Sequence, residues 1–241
     1  AVNGNIFKNS DWTVDAGIVA AWNRNMVTRI TSGYTKGKEG ANLPYLNVGY
    51  LSGDGLTGVN IMRLEEGKPI GNFYGYKFIR INEEGKMVYE RLNSSGDVIG
   101  ETTSTSSSVN MQVIGNAQPL VTGGFNVNVS YKQFDLTANF RGQIGGKIFN
   151  FKRFYYENKN INLENYLLSA FEGDAAKLTT DDRVFSDFYL EDGTYLRLSD
   201  VTLGYNVKTN TEIAKYFTDM RVTFTVQNAF VLTSYTGVDP E

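Results

Sequence analysis

The chain has 241 residues, 41% of them hydrophobic and 13% aromatic, with a net charge of −3, so it is long enough to bury a sizeable core. It contains neither cysteine nor histidine, which excludes disulfides, thiolate zinc sites, cysteine nucleophiles and every histidine-dependent triad within it. Lysine and arginine form no basic stripe and no aromatic-plus-basic motif, so nucleic acid is not an expected partner.

No apolar run reaches the roughly 18 to 20 residues that a transmembrane helix needs. A membrane β-barrel escapes that test. Its strands need only about 9 to 11 residues and alternate apolar with polar, which keeps mean hydropathy negative, as it is here at −0.30.

In chain order, the first predicted strand is residues 12–22, where Trp12, Val14, Ala16, Ile18, Ala20 and Trp22 make one wholly apolar face. At about 3.3 Å per residue the two indoles stand about 33 Å apart, or about 23 Å along a membrane normal once the strand tilts by about 45°. That spacing suits a lipid-facing aromatic girdle of Trp12 and Trp22 on either side of an apolar band. A half-buried strand of a soluble sandwich would read the same way. A polar stretch follows at 31–43, and a second at 93–109. In the second, Asn93-Ser94-Ser95-Gly96-Asp97 has too few carboxylates for a calcium loop and reads as a solvated turn. The Ser/Thr run 102–108 reads as a loop.

Residues 125–143 predict a hairpin. Phe125, Val127, Val129 and Tyr131 oppose Asn126, Asn128 and Ser130; after Lys132-Gln133, Phe134, Leu136, Ala138 and Phe140 oppose Asp135, Thr137, Asn139, Arg141 and Gln143. Within it Asn128-Val129-Ser130 fits a glycosylation sequon, but in mid-strand. Gly145-Gly146-Lys147 lacks the first glycine and the Ser/Thr of a phosphate loop. The long polar segment 150–186 opens on aromatics, Phe149, Phe151, Phe154, Tyr155 and Tyr156, which suit either stacking on a ligand or packing among loops. Asp181-Asp182, Asp187 and Glu191-Asp192 raise the paired acids of a glycosidase, yet read more simply as charged loop and Asp-Gly turn. A long strand over 190–207, a connection at 208–219 with one or two helical turns in 212–217, and a strand from Met220 complete the pattern. The fold class is all-β, antiparallel, with about eight to ten strands, short turns at one end and long loops at the other.

Several phrases resemble the C-terminal barrel region of SusC-like TonB-dependent transporters. The fullest is Leu190-Glu191-Asp192-Gly193-Thr194-Tyr195 running on to Leu203-Gly204-Tyr205. With it come Gln227-Asn228-Ala229-Phe230 and the terminal Tyr235-Thr236-Gly237-Val238-Asp239-Pro240-Glu241. Earlier, Gly67-Lys68-Pro69 through Gly75-Tyr76 and Ile114-Gly115-Asn116-Ala117-Gln118-Pro119 agree in order and spacing, so the likeness covers roughly 60–241. The resemblance implies a bacterial outer-membrane location and a partial transmembrane β-barrel, 8–10 strands of one with about 22, with the plug, N-terminal strands and closing strand outside these residues. It implies import of glycans or peptides, no catalysis and no cofactor or metal. Its implied partners are a SusD-like surface lipoprotein, TonB acting through the plug, outer-membrane lipid and an oligosaccharide or peptide substrate. Under that resemblance Phe154, Tyr155 and Tyr156 are the candidates to meet substrate or lipoprotein lid. The other class that the residues allow is a soluble secreted carbohydrate-binding β-sandwich.

Overall fold

A computed structural model describes residues 1–31, 43–51, 59–157, 159, 165–179, 184–208, 217 and 219–241. Among them the strands in chain order are β1 (Val2–Lys8), β2 (Trp12–Trp22), β3 (Tyr45–Leu51), β4 (Val59–Glu65), β5 (Asn72–Tyr76), β6 (Phe78–Ile81), β7 (Met87–Leu92), β8 (Val98–Thr102), β9 (Met111–Asn116), β10 (Val121–Tyr131), β11 (Phe134–Ile144), β12 (Lys147–Phe149), β13 (Leu190–Asp192), β14 (Tyr195–Val207) and β15 (Met220–Thr233), with one short helix, α1 (Phe151–Tyr156). They fall into two units. The first holds 1–23, 119–145 and 193–234; the second holds 24–118, 146–192 and 235–241.

The first unit is one antiparallel sheet in the order β1-β2-β10-β11-β14-β15. It has two free edges, β1 and β15, and does not close on itself. Because side chains alternate along a strand and the register is in phase, the apolar faces expected from the sequence join into one. Trp12, Tyr131, Phe134 and Tyr205 lie in one cross-strand row; Ala16, Val127, Ala138, Val201 and Val226 lie in another. The first row is aromatic throughout, with Trp12 4.3 Å from Tyr131 and Phe134 4.8 Å from Tyr205 between ring centroids. Phe125 stacks on Phe140 at 4.2 Å in the middle of the sheet.

This apolar face is uncovered. Ile18 is 58% exposed, Phe224 69%, Leu232 60% and Trp22 71%. Both clusters of buried hydrophobic residues belong to the second unit, one around Tyr76, Met87, Tyr89, Phe154, Leu178 and Tyr189 and the other around Ile61, Phe73 and Phe185. A sandwich would bury such a face against a second sheet, and among the described residues the first unit has no core of that kind.

The opposite face is polar and bonded to itself. Thr137 donates to Asn128 at 2.9 Å, Asn139 to Asp200 at 2.8 Å and Asn5 to Asp15 at 3.0 Å, while Arg221 pairs with Asp135. Desolvation is therefore small for these groups only while water reaches them, which is the condition of a wet lumen.

The connections are asymmetric. At the end marked by Tyr131 the chain turns within 9–11 and 132–133 and connects through 208–219. Lys132 takes a left-handed φ of 54° there, and its N–H donates to the Asp11 carbonyl at 3.0 Å, tying two of these turns together. At the other end the chain leaves for 23–120 and 145–194. The expected helical turns at 212–217 lie outside the described residues, apart from Phe217.

Two expectations change. The single strand over 190–207 is two: β13 pairs with β12 in the second unit, and β14 begins at Tyr195 in the first. The strand total also exceeds eight to ten, because the second unit holds nine short strands, β3-β4-β5-β9, β6-β7-β8 and β12-β13. Their mixed, brief apolar runs hide the period that the long strands display.

Candidate functional site

The second unit gathers the chemistry that sequence analysis singled out. Asn150 opens α1: its Oδ1 accepts from the Arg153 N–H at 3.0 Å, satisfying one of the donors a helix start leaves free. The helical turn then sorts the aromatic run. Phe154 is wholly buried, its ring 5.3 Å from Phe149 and 5.1 Å from Tyr189. Phe154, expected to reach substrate or lid, is instead a core residue, because a helix presents only one stripe to the core and Phe154 is on it. Phe151 and Tyr156 are exposed, and Tyr155 is half-buried, stacked on Phe151 at 6.0 Å and edge-on to Tyr156 at 5.0 Å.

Beneath α1 lies a hub that the sequence did not reveal. Glu191, on β13, accepts from the Thr236 N–H at 2.7 Å, the Thr236 hydroxyl at 2.8 Å, Arg153 Nη1 at 2.9 Å and Asn150 Nδ2 at 3.0 Å. Arg153 also donates through Nε to Glu157 at 2.8 Å. Glu157 is fully buried, and its Oε2 has no hydrogen bond among the described residues. Two sequence signals pointed this way: Asn150 three residues before Arg153 as a cap, and Arg153 and Glu157 four apart on one helical face. Neither names Glu191.

Burial of Glu191 would push its carboxyl up, but the Thr236 N–H, Arg153, the Thr236 hydroxyl and Asn150 outweigh that and hold it below the ordinary glutamate value. A carboxylate depressed by folding contributes stability that is complete above its unfolded pKa and is lost as pH falls through the folded one. Protease resistance of 150–157 and 235–241 in the full-length protein should therefore be flat above about pH 5 and fall below about pH 4. Resistance unchanged down to pH 3 would contradict this.

The remaining candidates are occupied structurally. Asp187 accepts from Lys77 Nζ at 2.5 Å and the Phe78 N–H at 2.7 Å, and Asp192 pairs with Lys147. Asp181 and Asp182 lie outside the described residues. In 93–97, Asn93 Oδ1 accepts from the Ser95 and Asp97 N–H groups at 2.9 Å, and Asn93 Nδ2 donates to Asp97 Oδ2, closing the turn on itself. Trp12 and Trp22 stand at opposite ends of β2. Trp12 is within the aromatic row, whereas Trp22 faces Val121.

No protein-family model matches the chain. It is 28% identical to TonB-dependent receptor P3 of Formosa agariphila over 74% of its own length, and 23% identical to TonB-dependent receptor SusC of Bacteroides thetaiotaomicron over its full length. The chain is similar to SusC-like TonB-dependent receptors. It spans 19% and 23% of those two receptors. Among solved structures, the RagAB peptide transporter superposes on 99% of it with a TM-score of 0.75 at 23% identity, over 26% of the transporter chain, and the RagAB peptide importer in its open-open state with 0.74 at 24%, over 25%. The fold is thus a partial, unclosed antiparallel β-barrel.

The SusC-like phrases meet in pairs. The Gly67–Tyr76 and Ile114–Pro119 phrases adjoin through β5 and β9, where Asn72 faces Asn116 and the Ala117 N–H donates to the Gly71 carbonyl at 2.8 Å. Gln227-Asn228-Ala229-Phe230 is a bulge on β15. Leu198 faces Phe230 and Asp200 faces Gln227, so two residues oppose one, and Asn228 takes the left-handed φ of 49° that asparagine tolerates best after glycine. The Leu-Glu-Asp-Gly phrase meets Tyr235-Thr236-Gly237 at the hub. A side chain on Gly237 would meet the Tyr235 ring at 2.2 Å, so the ring could not keep its present place beside one.

Proposed function

We propose that these residues form the C-terminal part of the barrel of an outer-membrane TonB-dependent transporter, which imports glycans or peptides with a SusD-like lipoprotein over its mouth and TonB acting through a plug. The observation that carries this reading is the first unit's sheet, whose strands of up to 14 residues expose a continuous apolar face and bond their polar face internally. The strand lengths fit a span of about 9 to 11 residues, and the short-turn and long-loop ends fit a barrel's two sides. Trp12 and Trp22 mark the girdle. Tyr155 and Tyr156, with Phe151, offer the ring faces for substrate or lid, and Phe154 supports them from below. The chain has no chemical role beyond binding and passage.

The test uses the full-length protein in its native host. It should fractionate with the outer membrane and require detergent, and deletion of its gene should abolish uptake of either labelled peptides or labelled oligosaccharides. Recovery as a soluble protein without detergent would overturn the reading.

A further inference from the structure

We propose that Glu191 is a latch that binds three segments distant in sequence, α1, strand β13 and residues 235–241, into one mechanical body. Residues 235–241 form no strand or helix, and Val238 among them is 88% exposed. At six residues, α1 is too short to persist by its own hydrogen bonds. Both depend on the same carboxylate. Its Oε2 accepts the Thr236 N–H and its Oε1 accepts from Arg153, Asn150 and the Thr236 hydroxyl. Asn150 closes the circuit, since its Oδ1 caps α1 while its Nδ2 donates both to Glu191 and to the Thr236 hydroxyl at 3.1 Å. Arg153 in turn is held from α1's far end by Glu157. Each group is therefore satisfied only while the others are in place, which makes their opening cooperative.

The consequence is positional. The exposed rings of α1 are fixed with respect to residues 235–241, so a partner that displaces that segment also frees the helix. Glu191 acts through Asn150, Arg153 and Thr236.

Hydrogen–deuterium exchange on the full-length protein tests this directly, because the Thr236 amide is protected by a side chain and not by a strand. In E191Q one of the two acceptor oxygens becomes an amide nitrogen, so whichever way the amide lies, either the Thr236 N–H or the Arg153 and Asn150 donors lose their acceptor. Peptides covering 235–241 and 150–157 should then exchange faster together, by about tenfold or more, while peptides from β10 and β11 stay unchanged. Thr236→Val, which keeps the amide and removes only the hydroxyl, should accelerate the same two regions less, and the double variant no more than E191Q alone. Unchanged exchange at 235–241 in E191Q would overturn the latch, as would acceleration there without any at 150–157. Acceleration spread equally over β10 and β11 would also overturn it, because the effect would then be global. The readout needs no transport, so its failure is separate from failure of the proposed function.

Discussion

Arginine placed along the apolar face of β10 in the full-length protein should cost most at Val127 and little at either end. For a strand crossing lipid the expected penalty is about 2 to 4 kcal/mol near the midplane and about 0 to 1 kcal/mol at the interfaces. Val127 is in the central row with Ala16, Ala138, Val201 and Val226, whereas Val121 and Tyr131 stand at the two ends. Unfolding from lipid vesicles by urea, measured for arginine at 121, 125, 127 and 131, should trace that profile, and Asn128→Arg on the polar face should stay under about 1 kcal/mol. A sandwich gives a different profile, since its penalty follows burial against a second sheet and not depth. Equal costs at 121, 127 and 131 would sink the membrane reading of this face.

Phe154→Ala should destabilise the second unit by about 3 to 5 kcal/mol, the range for deleting a fully buried phenylalanine. Phe154 has no exposed surface and packs between Phe149 and Tyr189 within the larger cluster. Tyr156→Ala, two residues on and exposed, should cost less than about 1 kcal/mol. If the stacking role proposed for Tyr155 and Tyr156 is right, their alanine variants weaken substrate or lipoprotein binding while leaving protease resistance at the wild-type level. Phe154→Ala would lower both together. A Tyr156→Ala protein that loses resistance as much as Phe154→Ala would show that the whole aromatic run is packing, and the contact role would fall.

The aromatic run illustrates where reading the chain alone reaches its limit. Five aromatics between 149 and 156 were visible as a group, and both packing and stacking were open to them. Which ring does which is set by one turn of helix begun at Asn150, and that turn exists only because the hub beneath it satisfies the cap and Arg153. The phrase around Glu191 was conspicuous in the sequence as a likeness, but its physical reason was hidden. The four donors on that carboxylate come from positions 150, 153 and 236, and nothing local to 191 announces them. The same holds for Asn228, whose left-handed backbone makes sense only against Ser199 on the neighbouring strand.

The alternation along β2, β10, β11, β14 and β15 was legible because successive side chains on a strand point to opposite sides, a purely local rule that needs no partner. From it followed the all-β class, the two-faced strands and the asymmetry of turns and loops. Strand order, the pairing of Trp22 with Val121 and of Gln143 with Tyr195, and the second unit's core were decided only by tertiary structure. Those pairings close loops of dozens of residues, and their free energy depends on what the intervening chain buries, which no local pattern encodes.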